Sequence, residues 1–551
     1  TALIVGDDER QSRPVIEPEF TMDAEDLSRD YIPSVLNRVK VYLMEFEKEG
    51  QFKPAAERKF IENYNRGAVL FSYVGHGNPD VLAHEHVFQT RNVPRLENGM
   101  RLPFIFFAAS AVGQFDKTSG ESLPEALLKS PTGGAIGSIG GTRIGYHQSN
   151  MQLNRAFYRN LFLSSTPHVP VGLALMRAKP AVPPGVYARG NTQRYSLFGD
   201  PATVLALPER RITLSEVRQI QALGAVRVTG QVVTQDGTSL DEFDGTAMIQ
   251  VFDSATPVVR NIVRTTGDVA LVSYLLPGAT IFRGLVPVQR GGFEASLRVP
   301  KDISYGGRNG RISVFAWNDR MTGAGAIDAI QVGGTDTTFV TDETGPTIDI
   351  GFLSQTFADG DFVDPSPIMV VTISDESGVN IAGDVGHEIQ LRLDDDPRTV
   401  VSLTDRFTSV NGYQSGTLTY RIEQLSEGEH TVEIRAWDNY NNSSYRIVRV
   451  RVTPQEAFSL SDVLCYPNPV AGMVTDFTYQ LTQPAERVDI RLYTLAGRLV
   501  DRLTGEPHRG YNQVRWMLPD DLANGVYLYM ISARRENGDA TEAIEKVVIM
   551  R

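Results

Sequence analysis

A single cysteine, Cys465, occurs among the 551 residues, so no disulfide can close within the chain and the redox compartment cannot be read from bridges. No apolar run of about 18 residues occurs, which excludes a membrane-spanning helix. Lys and Arg never gather into a dense run. With a net charge of −13, the chain is poorly matched to nucleic acid or an anionic membrane surface as its main partner. Neither an initiator methionine nor a signal-peptide pattern opens the chain, which begins at Thr1 inside a strand-like run, so we expect a piece of a longer protein. Helical periodicity is scarce beyond residue 209, and a chain of this length exceeds what one core can organise.

What is present before residue 209 is an alternation of apolar runs with amphipathic segments, the pattern of a largely parallel sheet flanked by helices. Strands are expected over 2–6, 39–44, 68–74, 102–109, 135–140 and 203–207. Helices are expected over 23–38, from Pro54 to the stop at Gly67, from Pro124, and over 148–162. Two strand ends carry chemistry. AVLFSYV runs into Gly75-His76-Gly77-Asn78, and LPFIFFAA runs into Ser110-Ala111-Val112-Gly113. Side chains at the carboxyl ends of adjacent parallel strands face one crevice, which suits His76 as base and Ser110 as nucleophile, although either can also be an ordinary turn residue.

Asp7, Asp8 and Glu9 end the first strand on the same edge. One of them can orient the imidazole, and solvated loop carboxylates or a structural calcium site are the alternatives. No other cofactor is expected. His84 and His86 flank Glu85, but no third ligand of zinc spacing follows, and no metal centre is assigned. His147 follows the 142–146 turn, where it either lines the cleft or packs.

The segments Tyr73-Val74-Gly75-His76-Gly77 and Ala108-Ala109-Ser110-Ala111-Val112-Gly113-Gln114-Phe115-Asp116 resemble the His-Gly and Ala-x-Cys-x-x-Gly-x-Phe motifs of gingipain-type, caspase-like cysteine peptidases. Within that family the chain is most similar to the PorU sortases of the type IX secretion system, through Leu82-Ala83-His84-Glu85 and Gly199-Asp200-Pro201. The resemblance implies a catalytic set of His76, the side chain at 110 and a third acid, with Asp8 favoured and Asp7 next. It also implies an oxyanion site at Gly77 and the amide of residue 110. One departure stands out: Ser110 occupies the position of the family's cysteine. Serine is a far weaker nucleophile in a site tuned for a thiolate, whether the change is natural or introduced, so this form is expected to be inactive.

From 209 onward, short alternating strands separated by Gly, Asp, Asn and Pro turns suggest all-β, Ig-like sandwich modules over 209–340, 341–455 and 456–551, following a caspase-like α/β domain over 1–208. Asp375-Glu376-Ser377-Gly378-Val379-Asn380 and Trp437-Asp438-Asn439-Tyr440-Asn441-Asn442 resemble stretches that follow the catalytic domain in PorU-like proteins. Cys465-Tyr466-Pro467-Asn468-Pro469 and Leu522-Ala523-Asn524-Gly525-Val526-Tyr527 resemble the C-terminal sorting domains of type IX cargo.

The resemblance implies a surface endopeptidase and transpeptidase that removes sorting domains from secreted proteins at the extracellular face of the outer membrane. It implies a β-barrel shuttle as partner and an anionic lipopolysaccharide as acceptor. A secreted gingipain-like protease carrying its own tag, and an inactive scaffold that binds sorting domains, are the alternatives.

Overall fold

Five-residue runs of apolar and small residues can be buried on both faces. In the computed structural model, which describes residues 1–8, 18–163, 168–183, 185, 188–263, 267–338, 341–353, 357–383, 386–452 and 458–551, four such runs form the centre of the first domain. These are β1 (Ala2–Gly6), β3 (Leu70–Val74), β7 (Phe104–Ala108) and β8 (Gly137–Gly141), each buried along its whole length. With β2 (Arg38–Tyr42) and β9 (Tyr195–Gly199) they make a six-stranded sheet in the order β2-β1-β3-β7-β8-β9. The first five are parallel and β9 is antiparallel to β8. Three two-residue strands, β4 (Gly77–Asn78), β5 (Val81–Leu82) and β6 (Phe88–Gln89), form a small ribbon between β3 and β7.

The two-residue period of a strand sends alternate side chains to opposite cores. Ala2, Ile4, Leu70, Phe104 and Phe106 join one cluster, which includes residues of α1 (Pro18–Asp30), α4 (His147–Phe162) and α5 (Val171–Ala181). Leu3, Val5, Phe71, Ile105 and Phe107 join the other, with α2 (Pro54–Arg66) and α3 (Leu123–Lys129). The registers Gly6↔Val74 and Val74↔Ala108 make β1, β3 and β7 end flush, so the residues after them emerge side by side. The chain moves from β1 to β2 on one side and on to β3 on the other. The crevice for a ligand therefore opens between the ends of β1 and β3.

Two expectations need correction. The helix placed at 23–38 spans Pro18–Asp30 instead, because Pro33 cannot continue a helix and biases Ile32 away from helical backbone. The final strand lies at Tyr195–Gly199 rather than 203–207. The later run reaches α5 instead of a ladder: Val171 N–H donates to Thr203 O at 2.9 Å, and Leu205 is buried in the adjoining core.

Beyond the α/β domain the structure is all β, with three further cores. The first and second modules share one long sheet, joined by parallel pairing of Gly284 with Ser409 and Leu285 with Val410. A hairpin of the first module, Thr256–Val263 and Val269–Leu276, leaves that sheet and buries Val272 and Tyr274 in the α1 side of the α/β-domain core. The last module pairs a three-stranded sheet with a four-stranded one around Trp516.

Candidate active site

Asp7 is the first residue beyond β1 and is fully buried. Its Oδ2 accepts the backbone N–H of His76 at 2.8 Å and lies 3.0 Å from His76 Nδ1, while its Oδ1 accepts Asp8 N–H at 2.8 Å. The His76 carbonyl is fixed as well, by the Tyr73 hydroxyl at 2.6 Å and by Ala83 N–H at 3.0 Å. Burial first, and then the Asp7 charge, push the Tyr73 phenol well above its ordinary value, so it is a permanent donor here. Gly75 makes this approach sterically feasible: a Cβ there would stand 2.2 Å from Asp7 Cβ. The imidazole itself packs against the Phe20 ring, with centroids 4.8 Å apart, and against His84 at 4.6 Å.

The carboxylate that meets the imidazole is thus Asp7 and not the favoured Asp8. Asp8 turns the other way and pairs with the buried Lys53 ammonium at 2.6 Å. Adjacent side chains leaving a strand end point to opposite sides, so only one of the two can reach His76. Glu9 lies outside the described residues. Asp7, Asp8 and Glu85 bring three carboxylates within 4.8 Å of one another, but Lys53 and Lys48, the latter 3.6 Å from Glu85, already supply cations. A second acidic group among the described residues, Asp342, Asp375 and Asp438, belongs to the second β module and not to this crevice.

Ser110 follows β7 by two residues and shares one cleft of 460 Å³ with His76, Gly77, His84, Gly145 and His147. Its hydroxyl donates to Gly145 O at 3.0 Å and accepts Gly145 N–H at 2.9 Å, so in this state it is held by the loop after β8. The structure therefore brings base and hydroxyl to one cavity, with the hydroxyl bonded across the cleft rather than to the imidazole. Ala111, next in the chain, adopts a left-handed backbone with φ 62°, the kind of local strain that persists where the surroundings impose it. Gly113 and Phe115 complete the motif through packing. A Cβ at 113 would lie 2.8 Å from the Phe198 ring, and Phe115 meets the same ring edge-on.

Gly77 sits where a backbone donor is useful. Ala83 N–H bonds to His76 O, so the antiparallel alternation makes Gly77↔Leu82 a non-hydrogen-bonded pair and turns the Gly77 N–H away from β5. A Cβ here would meet Val112 Cγ2 at 2.6 Å. The opposite wall is tied down by side-chain amides: Tyr146 N–H donates to Asn191 Oδ1 and Asn191 Nδ2 donates to Asn150 Oδ1, each at 2.9 Å. His147 lines the cleft with its Nε2 2.6 Å from Asp23 Oδ2. Burial opposes the charged form of Asp23, yet bonds and charge from His147 and Arg155 hold its carboxyl below the usual range. His84 and His86 do not share a strand face. Ala83 and His86 both have positive φ, and His86 stacks edge-on against Phe52.

Sequence reasoning gave no role to Phe20, Tyr73, Gly145 or the Asn150–Asn191 pair. Tyr73 lies in the His-Gly segment without its hydrogen bond being legible there, and only the 142–146 turn beside a strand end hinted at the wall the others build.

Residues 1–206 match the peptidase family C25 profile. The α/β domain is therefore similar to C25 peptidases. Residues 464–550 match the secretion system C-terminal sorting domain. Among solved structures, dimeric latent PorU from Porphyromonas gingivalis is 25% identical and the match covers 76% of this chain and 41% of that one, with a TM-score of 0.31. The Arg-specific cysteine proteinase gingipain R is 19% identical over 60% of this chain and 66% of its own length, also at a TM-score of 0.31. The chain thus spans under half of the PorU structure and under two thirds of gingipain R. No curated protein matches.

Proposed function

We propose that the chain is the peptidase portion of a PorU-like sortase of the type IX secretion system, a cysteine endopeptidase and transpeptidase that removes C-terminal sorting domains from secreted cargo at the cell surface. The observation that supports it best is the Asp7–His76 pair facing the side chain at 110 across one cleft. With a thiol at 110, His76 takes the thiol proton, and the thiolate attacks the scissile carbonyl carbon. Gly77 N–H and the amide of residue 110 receive the oxyanion charge, and the C–N bond breaks as His76 returns the proton to the leaving amine. The thioester is then resolved by water, or by an amine acceptor in transpeptidation. Asp7 holds the ring orientation and favours its charged form. The family resemblance extends the reading to an outer-membrane β-barrel shuttle as partner and an anionic lipopolysaccharide as acceptor. As given, with Ser110, the protein is inactive in this scheme, because His76 is too weak a base to ionise a hydroxyl.

The match of residues 464–550 to a sorting domain favours one further reading, a gingipain-like protease that is itself cargo. The inactive scaffold remains the third, resting on Ser110. One experiment separates them: Ser110→Cys incubated with a sorting-domain fusion. Cleavage of the fusion by Ser110→Cys, and not by the Ser110 protein, supports the sortase. Cleavage of general peptides with the fusion left intact supports the cargo protease, and no turnover by either leaves the scaffold. Alkylation provides a parallel readout. The introduced thiol should react faster than a free thiol peptide at neutral pH and lose that advantage in acid. Cys465 is a slow internal control, since burial pushes its thiol up.

A further inference from the structure

Helix α1 lies between the cleft and the hairpin of Thr256–Val263 and Val269–Leu276. Its first turn reaches the site. The Phe20 ring meets His76 edge-on at 4.8 Å and His147 at 4.7 Å, and Asp23 Oδ2 lies 2.6 Å from His147 Nε2. The buried Thr21 hydroxyl donates to the Asp7 carbonyl at 3.3 Å, so one helix turn touches both members of the Asp7–His76 pair. A Cβ at Gly6 would stand 3.3 Å from Ala24 Cβ and Thr21 Cα, which places α1 directly against the end of β1.

The next turn is held from behind. In the second hairpin strand Ala270, Val272 and Tyr274 are buried, while Val269, Leu271 and Leu275 are more than half exposed, as a two-residue period requires. Val272 and Tyr274 share one core cluster with Phe20, Ala24 and Leu27. The Leu275 peptide is gripped on both sides: its N–H donates to Glu25 Oε1 at 3.4 Å, and its carbonyl accepts Lys40 Nζ at 2.7 Å. Lys40 and Glu25 are themselves a buried ion pair at 2.6 Å. Tyr274 completes the clamp, with its ring edge-on to Tyr42 at 5.2 Å and its hydroxyl donating to Glu45. Glu25 follows Phe20 by five residues, about 7.5 Å along the axis. A hydrogen-bonded helix transmits a shift over that length as a rigid element.

We propose that the hairpin is a positioning element of the site. By seating α1 it sets the Phe20 ring and the Thr21 hydroxyl against the Asp7–His76 pair, so the first β module contributes to the chemistry of the α/β domain without lining the cleft. The effect on turnover rests on the peptidase reading, whereas the effect on the His76 ring does not.

The whole chain with Ser110 is isotope-labelled at histidine Cε1 for NMR, and the His76 resonance is identified by its loss in His76→Gln. Phe20→Ala should move that resonance and its pH titration. Val272→Ala and Tyr274→Leu, made separately in case one fails to fold, should each move it as well. Val314→Ala, the same truncation in the first module's own core, should lower the melt and leave the His76 resonance in place. In the Ser110→Cys background, Val272→Ala should lower kcat for a sorting-domain fusion by about two- to thirtyfold per folded molecule, the span of coupling through packed elements, with KM nearly unchanged. With Phe20→Ala already present the same change should cost less, because residues acting through one another are not additive. A His76 resonance that stays put in the folded hairpin variants overturns the proposal, and so does a kcat loss that is equal with and without Phe20. A moved resonance in a chain whose Ser110→Cys form has no turnover would uphold the positioning and remove the peptidase reading instead.

Discussion

Replacing Asp7 by asparagine in the Ser110→Cys background separates orientation of the base from folding. Both Asp7 oxygens accept backbone N–H groups, from Asp8 and from His76, each at 2.8 Å, and Oδ2 also faces His76 Nδ1. Asparagine offers one acceptor and one NH₂, so whichever way the amide turns, one buried N–H meets a donor. That mismatch costs about 1–3 kcal/mol, or roughly 2–4 °C of melting temperature per kcal/mol for a domain of this size. The chemical cost is larger, because the imidazolium formed during attack loses its carboxylate: a fall in turnover on the order of 10²–10⁴-fold is expected.

Asp8→Asn is the matched contrast. It strands the buried Lys53 ammonium now 2.6 Å from Asp8 Oδ2, which destabilises by about 3–5 kcal/mol, but it leaves the His76 contacts intact. Turnover of a sorting-domain fusion is measured with the folded fraction taken from a melt of the same sample. Loss of rate per folded molecule in Asp8→Asn, together with retention in Asp7→Asn, would refute the assignment of Asp7 as the orienting acid.

His76→Ala in the same background should cut turnover by at least about two orders of magnitude, with a nearly unchanged melt, since the ring is partly exposed and Asp7 Oδ2, though it loses Nδ1, keeps the backbone N–H of residue 76. A large loss of stability with activity per folded molecule retained would make it a structural histidine. Gly77→Ala brings a methyl to 2.6 Å from Cγ2 of the fully buried Val112, and overpacking of that kind costs about 1–3 kcal/mol; Val112→Ala should restore the melt if the clash is the cause. In the second β module, burial opposes the charged form of His430, but Asp394 at 2.7 Å and the Ser426 carbonyl at 2.8 Å outweigh it and raise the imidazole above its ordinary value. A raised histidine stabilises fully below the unfolded value of 6.5 and loses that contribution as pH rises through the folded value. Melting of this module should therefore fall over that window, and His430→Gln should flatten the profile.

The strand runs of the α/β domain were legible because burial on both sheet faces demands stretches of apolar and small residues bounded by turns. The crevice was legible too, since residues after flush parallel strands must emerge together, which is enough to bring His76, Ser110 and the Asp7–Asp8 pair to one edge. The change of pattern at 209 was clear from the loss of helical period. What the chain alone could not decide was direction. Whether Asp7 or Asp8 faces the imidazole depends on which side of the sheet edge Lys53 occupies, and that lysine is 45 positions away in sequence. The Ser110 hydroxyl meets Gly145, and Phe20 meets His76, only because separate helices and loops converge. Local pattern is fixed by period and propensity, whereas side-chain partners at long sequence separation exist only after the sheet has folded and the modules have docked.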